Sequence, residues 1–268
     1  MNREMAPVLG LNCFGNPLAE SASVETPACL DKLLQFLNDR CEPYCVWRGQ
    51  ASYLWAPYPT LIRRLRQYGL TDSQINEAVL RQAECKIVEE ARTQQLIGNN
   101  NGILEFMGKL QHYGGSTRLL DMTHNPLIAA FFASNSLEGE TGVIFCYRIN
   151  PNNVIRIGDD GVTWEDILKL KEPGRPVLVE PQVWDRRIEV QRAAFVALSL
   201  QGKLSDPNFY TNATYDSEVQ LILISPVLKK ALREYLEGLG IVEESLFPSI
   251  EMFAKRHAMA SPLPRLFP

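Results

Sequence analysis

The sequence predicts an α+β fold, with an N-terminal helical part packed on a mixed, mostly antiparallel β core. Three observations predict it. Apolar residues recur at helical spacing in the first third of the chain. Short apolar runs of strand length follow at 142–149, 176–179, 195–200 and 219–225. The two kinds of element are grouped rather than alternating one for one, which argues against a parallel βα repeat.

The elements follow in order. Residues 1–22 read as a flexible N-terminal segment, and 23–268 as a single domain. Pro27 precedes a helix with Leu30, Leu33, Leu34 and Leu37 on one face. Tyr44-Cys-Val-Trp-Arg48 favours a strand ending at Gly49. Ala56-Pro-Tyr-Pro59 cannot continue regular structure. A long helix is expected to start at Thr71, capped with Gln74, with Ile75, Ala78, Val79 and Ala83 as its apolar face. Gly98-Asn-Asn-Asn-Gly102 stops it. Thr163–Leu170 has helical spacing between the first two strand runs of the second half. After Pro226, the residues Val227, Leu228, Ala231, Leu232, Tyr235, Leu236 and Leu239 form a helical pattern ended by Gly238 and Gly240. Pro262-Leu-Pro264 reads as extended.

Composition bounds the function. At 268 residues and 46% hydrophobic, the chain can bury a sizeable core. A net charge of −4 gives no global attraction to nucleic acid or to anionic membrane. Arg63, Arg64 and Arg66 make a local basic cluster, for which a solvated helix end is the ordinary reading. The opening MNREMAPVLGLNCFG has no apolar core of signal-peptide length, and no run approaches the roughly 18 apolar residues of a membrane helix. The expected location is cytoplasmic, with no membrane partner. Six cysteines are then expected as free thiols. Cys41 and Cys45 lack the spacing of a zinc pair, and no metal is expected.

Two segments look built for chemistry. One is Val46-Trp-Arg-Gly-Gln50; the other is QHYGGSTRLLDMTHNPLIAAFFA, residues 111–133. Polar groups this dense beside an apolar run need partners once buried. Standard motifs fail: no Walker lysine follows Gly114-Gly-Ser-Thr117, and no GxGxxG or G-x-S-x-G is present. His112, His124 and His257 have no metal spacing. Arg48 at a strand end offers five fixed donors, suited to a phosphate or carboxylate. Gly49 permits close ligand approach or a positive φ. The structural alternative for Arg48 is an ion pair with a buried acid such as Asp121. Arg118 and Asp121 lie three apart, the spacing of helical neighbours that satisfy each other. Ser116 and Thr117 either cap the helix carrying Leu119–Asp121 or bind a ribose or amide. Asn125-Pro126 reads as a turn before the apolar segment Leu127–Ala133.

The pieces VWRGQ, PYPTLIRR, LQHYGGSTRLLDMTHNPLIAAFFAS, VQRAAF and LGIVEESLFPSIE occur in that order. Together they resemble the bacterial FRG domain, named for an aromatic-Arg-Gly motif, from about Leu33 to Ile250. The chain departs from that pattern at Trp47, Ser116, Met122 and Ala193, where the family commonly has Phe or Tyr, Pro, Trp and Gly. More distantly, the aromatic-Arg-Gly strand, the Ser-Thr pair and a glutamate-bearing strand resemble the layout of ADP-ribosyltransferases.

That resemblance implies NAD as substrate and an ADP-ribosyltransferase-like fold. It implies phosphate binding by Arg48 with Gly49, Gln50 and His112 about it, and ribose positioning by Ser116 or Thr117. It also implies a catalytic set of Arg48, Gln191 and Glu218, with Glu189 as the rival acid. The acceptor would be a protein or a nucleic acid, the role that of a toxin or phage-defence effector, and an antitoxin or regulator a further partner. The alternatives are an NAD hydrolase in the same pocket and a non-catalytic nucleotide- or partner-binding module.

Overall fold

A computed structural model describes residues 23–97, 102–158, 164, 176–197 and 218–249. The strands are β1 (Ser23–Glu25), β2 (Cys45–Gln50), β3 (Leu120–Thr123), β4 (Gly142–Arg148), β5 (Val154–Arg156), β6 (Val177–Glu180), β7 (Ala193–Ala197) and β8 (Glu218–Ile224). They form one mixed sheet in the order β1-β8-β4-β2-β3-β7-β6-β5. Only β1–β8 and β5–β6 pair in parallel; the other five neighbours are antiparallel. The helices are α1 (Leu30–Asp39), α2 (Thr60–Gln67), α3 (Glu77–Thr93), α4 (Ile103–His112), α5 (Pro126–Ser134), α6 (Arg186–Val190), α7 (Pro226–Gly238) and α8 (Glu243–Leu246). Four helices therefore precede most of the sheet, and the α+β class holds.

Alternation along the strands divides the core. Val46, Phe145, Tyr147, Leu120, Val196 and Leu221 face α2 and α3, meeting Leu61, Ile62 and Leu80. Trp47, Ile144, Cys146 and Ile222 face α1, α5 and α7, meeting Leu33, Leu37, Ala129 and Leu232. A third cluster joins Leu104 and Met107 of α4 and Ile188 of α6 to Val177, Val179 and Phe195. No described helix is long and apolar enough to cross a membrane.

Several boundaries differ from expectation. The long helix starts at Glu77, because Asn76 caps it by accepting the Val79 N–H at 3.1 Å. Thr71 and Gln74 instead close a separate turn, in which the Gln74 side chain accepts the Thr71 N–H at 2.8 Å. The helix ends at Thr93, ahead of Gly98. Asn125-Pro126 is a helix start: the Asn125 side chain accepts the Leu127 N–H, and Pro126 sits where no N–H is needed. The chain after Thr117 does not form a capped helix. Leu120–Thr123 is a buried strand paired with β7, so Arg118 and Asp121 are not helical neighbours. Most of Thr163–Leu170, residues 198–200, His257 and Pro262–Pro264 lie outside the described residues.

Candidate functional site

The sheet has a seam. β2 is paired along its whole length with β4, from Cys45–Arg148 to Gln50–Val143. Against β3 it keeps a single register pair, Trp47–Thr123. β3 turns away to pair fully with β7. A cleft of about 220 Å³ fills the gap. Trp47, Arg48 and Gly49 line it from β2, and Asp121, Met122 and Thr123 from β3. Ile128 and Phe132 come from α5, His112 from α4, Arg187 from α6 and Gln191 from its C-terminal end. Ala193, Ala194 and Phe195 of β7 close it.

Arg48 is half-buried at the lip of this seam. Its Nε donates to Gln50 Oε1 at 3.0 Å, and Nη1 donates to the Asp121 carbonyl at 2.8 Å. Gln50 is itself fixed, its Nε2 donating to the Trp55 carbonyl at 2.7 Å. Two of the five guanidinium N–H groups are thus used. The remaining three have no partner among the described residues. Burial draws the Arg48 guanidinium below its ordinary value, aided by the charge of Arg63, while Asp121 and Tyr147 oppose the shift. Guanidinium still stays protonated at any ordinary pH.

Arg48 does not pair with the Asp121 carboxylate; it bonds to that residue's backbone. The exposed Asp121 side chain accepts from Gln111 Nε2 at 2.9 Å through Oδ2. Gln111 is held in turn by the Thr117 hydroxyl, which donates to its Oε1 at 2.6 Å and accepts the Leu119 N–H at 3.0 Å. This relay turns the carboxylate by two buried side chains.

Arg118, expected beside Asp121, is 1% exposed and pairs elsewhere. It donates to both oxygens of Glu84, at 2.5 and 2.6 Å, and to Glu77 at 3.0 and 3.2 Å. This motif arginine therefore anchors α3 to the strand loop. Its buried partner needed a residue 34 positions away, beyond any local spacing rule.

The other expected site residues divide. Gly49 lines the cleft, but its missing Cβ serves packing: a methyl there would lie 1.8 Å from the Ala129 carbonyl oxygen. Its φ is not positive. His112 lines the cleft with Nε2 at 2.5 Å from Asp185 Oδ2. Burial raises the Asp185 carboxyl, but the Ile188 and Arg187 N–H groups and His112 outweigh it and hold the group below its ordinary value. Gln191 lines the cleft while donating to the Leu246 carbonyl at 2.9 Å. Its own carbonyl accepts from Thr123 Oγ1 at 2.7 Å.

Thr117 is fully buried with its hydroxyl committed, so it cannot touch a ligand. Ser116 lines a different depression, with Arg63, Arg64 and Tyr68. Glu218 starts β8 level with Arg148 and hence with Cys45. Its backbone lies about 10 Å along and about 10 Å across the sheet from Arg48 by standard strand spacings. Glu189 is exposed and does not line the cleft. Among the described residues, Asp121 is the carboxylate that does. Sequence reasoning gave Asp121 only a structural part, and missed Arg187, whose Nη1 donates to the His112 carbonyl at 3.2 Å.

Searches of curated proteins and of solved structures return no match to this chain. The family model of the FRG domain matches residues 43–141. That span is shorter than the Leu33–Ile250 resemblance, and it covers β2, α2 to α5 and β3. It therefore supplies Arg48, Gly49, His112 and Asp121 of the cleft, while Arg187 and Gln191 come from beyond it. Residues 43–141 thus match the FRG domain, and this matched stretch forms the β2–β3 seam at which the cleft opens.

Proposed function

We propose that the cleft binds NAD and transfers its ADP-ribosyl group to an acceptor. The observation that carries this reading is Arg48: a rigidly held guanidinium whose other three N–H groups have no partner among the described residues, in a cleft whose lining includes an oriented carboxylate. Such a fork suits a pyrophosphate. At about 220 Å³ the cleft is smaller than the roughly 300–1,000 Å³ of sites that enclose a drug-sized ligand. It takes one end of the dinucleotide and leaves the rest at the surface. Phe132 gives that end an apolar wall for the nicotinamide ring.

The chemistry needs little more than charge. The bond between ribose C1′ and the nicotinamide nitrogen breaks, and nicotinamide leaves with the bonding pair. C1′ becomes oxocarbenium-like, and Asp121 stabilises the positive charge. The acceptor's nucleophile then bonds to C1′ and releases its proton. Asp121 is given this part because it lines the cleft. Its fixed position through Gln111 and Thr117 preorganises the charge.

The test is incubation of the chain with labelled NAD and cell lysate, following nicotinamide release and label transfer. Arg48→Ala should abolish release and shift the melting temperature by only a few degrees, since a hydrogen bond contributes about 0.5–1.5 kcal/mol. Asp121→Asn should keep NAD affinity and slow release by about a hundredfold or more. No release by the native chain, with protein, RNA and DNA present, overturns the reading. Release without transfer marks an NAD hydrolase. Binding without release marks a non-catalytic nucleotide module, the reading favoured by how many cleft groups already have internal partners.

A further inference from the structure

We infer that the basic depression on α2 binds single-stranded nucleic acid and presents it to the cleft as the acceptor. The acceptor role rests on the reading above; the binding itself does not. The depression measures about 390 Å³ and is lined by Thr60, Arg63, Arg64, Gln67, Tyr68 and Ser116. No carboxylate is among them. α2 carries three arginines and no acid in eight residues. Arg66 is spent internally, bidentate to Asp72 at 2.8 Å and stacked over the Tyr58 ring at 4.3 Å. Arg63 and Arg64 are exposed and have no carboxylate partner among the described residues. Among the described residues, Arg63 donates only to Thr60 Oγ1, at 3.3 Å.

Two adjacent uncompensated arginines on a chain of net charge −4 make a local anion site against an acidic background. That contrast steers a phosphate-bearing strand to this place. Tyr68 supplies the second half of the recognition. It is 72% exposed, and the Arg64 guanidinium lies 5.8 Å from its ring centre. An aromatic ring beside arginines offers a stacking platform for a base whose phosphates the arginines hold. Bases inside a duplex are not open to such a ring. A protein partner would need an apolar centre, and the apolar residues of α2 pack inward: Leu61 and Ile62 are buried, and Leu65 packs partly buried against the same core. The combination therefore selects a single strand.

The depression is tied to the cleft through the backbone. The Leu61 N–H of α2 donates to the Thr117 carbonyl at 3.0 Å. The Thr117 hydroxyl in turn holds Gln111, which holds Asp121. Arg63 also lies close enough to Arg48 for their charges to repel.

The test measures fluorescence anisotropy of a labelled single-stranded oligonucleotide of about 12 nucleotides, a length within the usual range of single-strand sites. It is run without NAD, over a salt series. The native chain should bind. Arg63→Gln with Arg64→Gln should lower the log–log salt slope by about 1.4, at roughly 0.7 per lost phosphate contact. Tyr68→Ala should weaken binding roughly five- to hundredfold. All three positions are exposed, so melting temperatures should hold. With NAD added, label should pass to the oligonucleotide in the native chain and not in the double variant, which should still release nicotinamide to water.

No binding by the native chain, equal binding by native and variants, or a duplex bound as tightly as the single strand overturns the inference. So does loss of NAD affinity in the double variant, because the depression would then be part of the dinucleotide site. Nicotinamide release without oligonucleotide binding overturns this inference and leaves the cleft reading standing. Oligonucleotide binding without nicotinamide release overturns the cleft reading, and with it the acceptor role, while supporting the binding surface.

Discussion

Removing Arg118 should unfold much of what the domain's signature holds together. The residue is 1% exposed and Glu84 is 2% exposed. In Arg118→Met, Glu84 is left on the buried face of α3 with neither oxygen held by Arg118. Glu77 loses a partner too, but its side chain is 23% exposed and can take water instead. Breaking one side of a buried pair costs about 3–5 kcal/mol. At roughly 2–4 °C per kcal/mol for a chain of this size, the melting temperature should fall by about 6–20 °C.

The loss depends on pH. Burial already holds the Glu84 carboxyl above its ordinary value, against the opposing pull of Arg118. Without Arg118 that rise must grow. An acid whose folded-state pKa is raised stabilises fully below its unfolded pKa and loses that contribution as pH rises through the folded value. The deficit of Arg118→Met should therefore be largest above neutrality and shrink as pH falls toward the carboxylate range. Arg118→Met with Glu84→Leu removes both charges and should recover most of the loss. Urea denaturation at pH 8, 7 and 5 reads all of this. A single variant that loses less than about 1 kcal/mol, or a double variant as weak as the single, would refute the pairing as the source of stability.

Gly49→Ala should destabilise by about 1–3 kcal/mol or more, because the new Cβ meets the Ala129 carbonyl at 1.8 Å and the Ala133 nitrogen at 2.7 Å, both backbone atoms of α5. Thermal melting checks it, and a variant as stable as the native chain sinks the close-packing account. Asp185→Asn should flatten the acid limb of the stability profile. A carboxyl held low in the folded state stabilises above its unfolded pKa and loses that contribution as pH falls through the folded value, so the effect belongs below about pH 4. Asparagine can still cap α6. An unchanged acid limb by circular dichroism would count against the His112–Asp185 pair.

Elements with a local signature were legible in the sequence. The α1 leucines, the β4 and β8 apolar runs and the α7 pattern stand within a few residues of where periodicity put them. What failed was every judgement needing a distant partner. Arg118 and Asp121 look like helical neighbours until β7 is known to pair with residues 120–123. α3 starts at Glu77, capped by Asn76, rather than at Thr71, because two capping sequences compete and Ile75 is buried outright. Short β1 and β5 exist only as partners of β8 and β6 and carry no pattern of their own. In the cleft, Arg48 was legible as a cation near a strand end. The place of Asp121 beside it was not, since Asp121 reaches the cleft by strand divergence and not by sequence spacing.

The Arg48–Asp121 bond has a mechanical side. Where β2 and β3 part, the Asp121 carbonyl receives a side-chain donor in place of a β2 backbone N–H. Beyond the Trp47–Thr123 pair, the two halves of the sheet are thus basted together by a guanidinium, the same group that faces the cleft. An anion that draws the remaining N–H groups of Arg48 toward itself pulls on that stitch. Ligand occupancy and the gap between the half-sheets are then read by a single side chain, and one substitution at position 48 both takes that guanidinium from the cleft and loosens the seam.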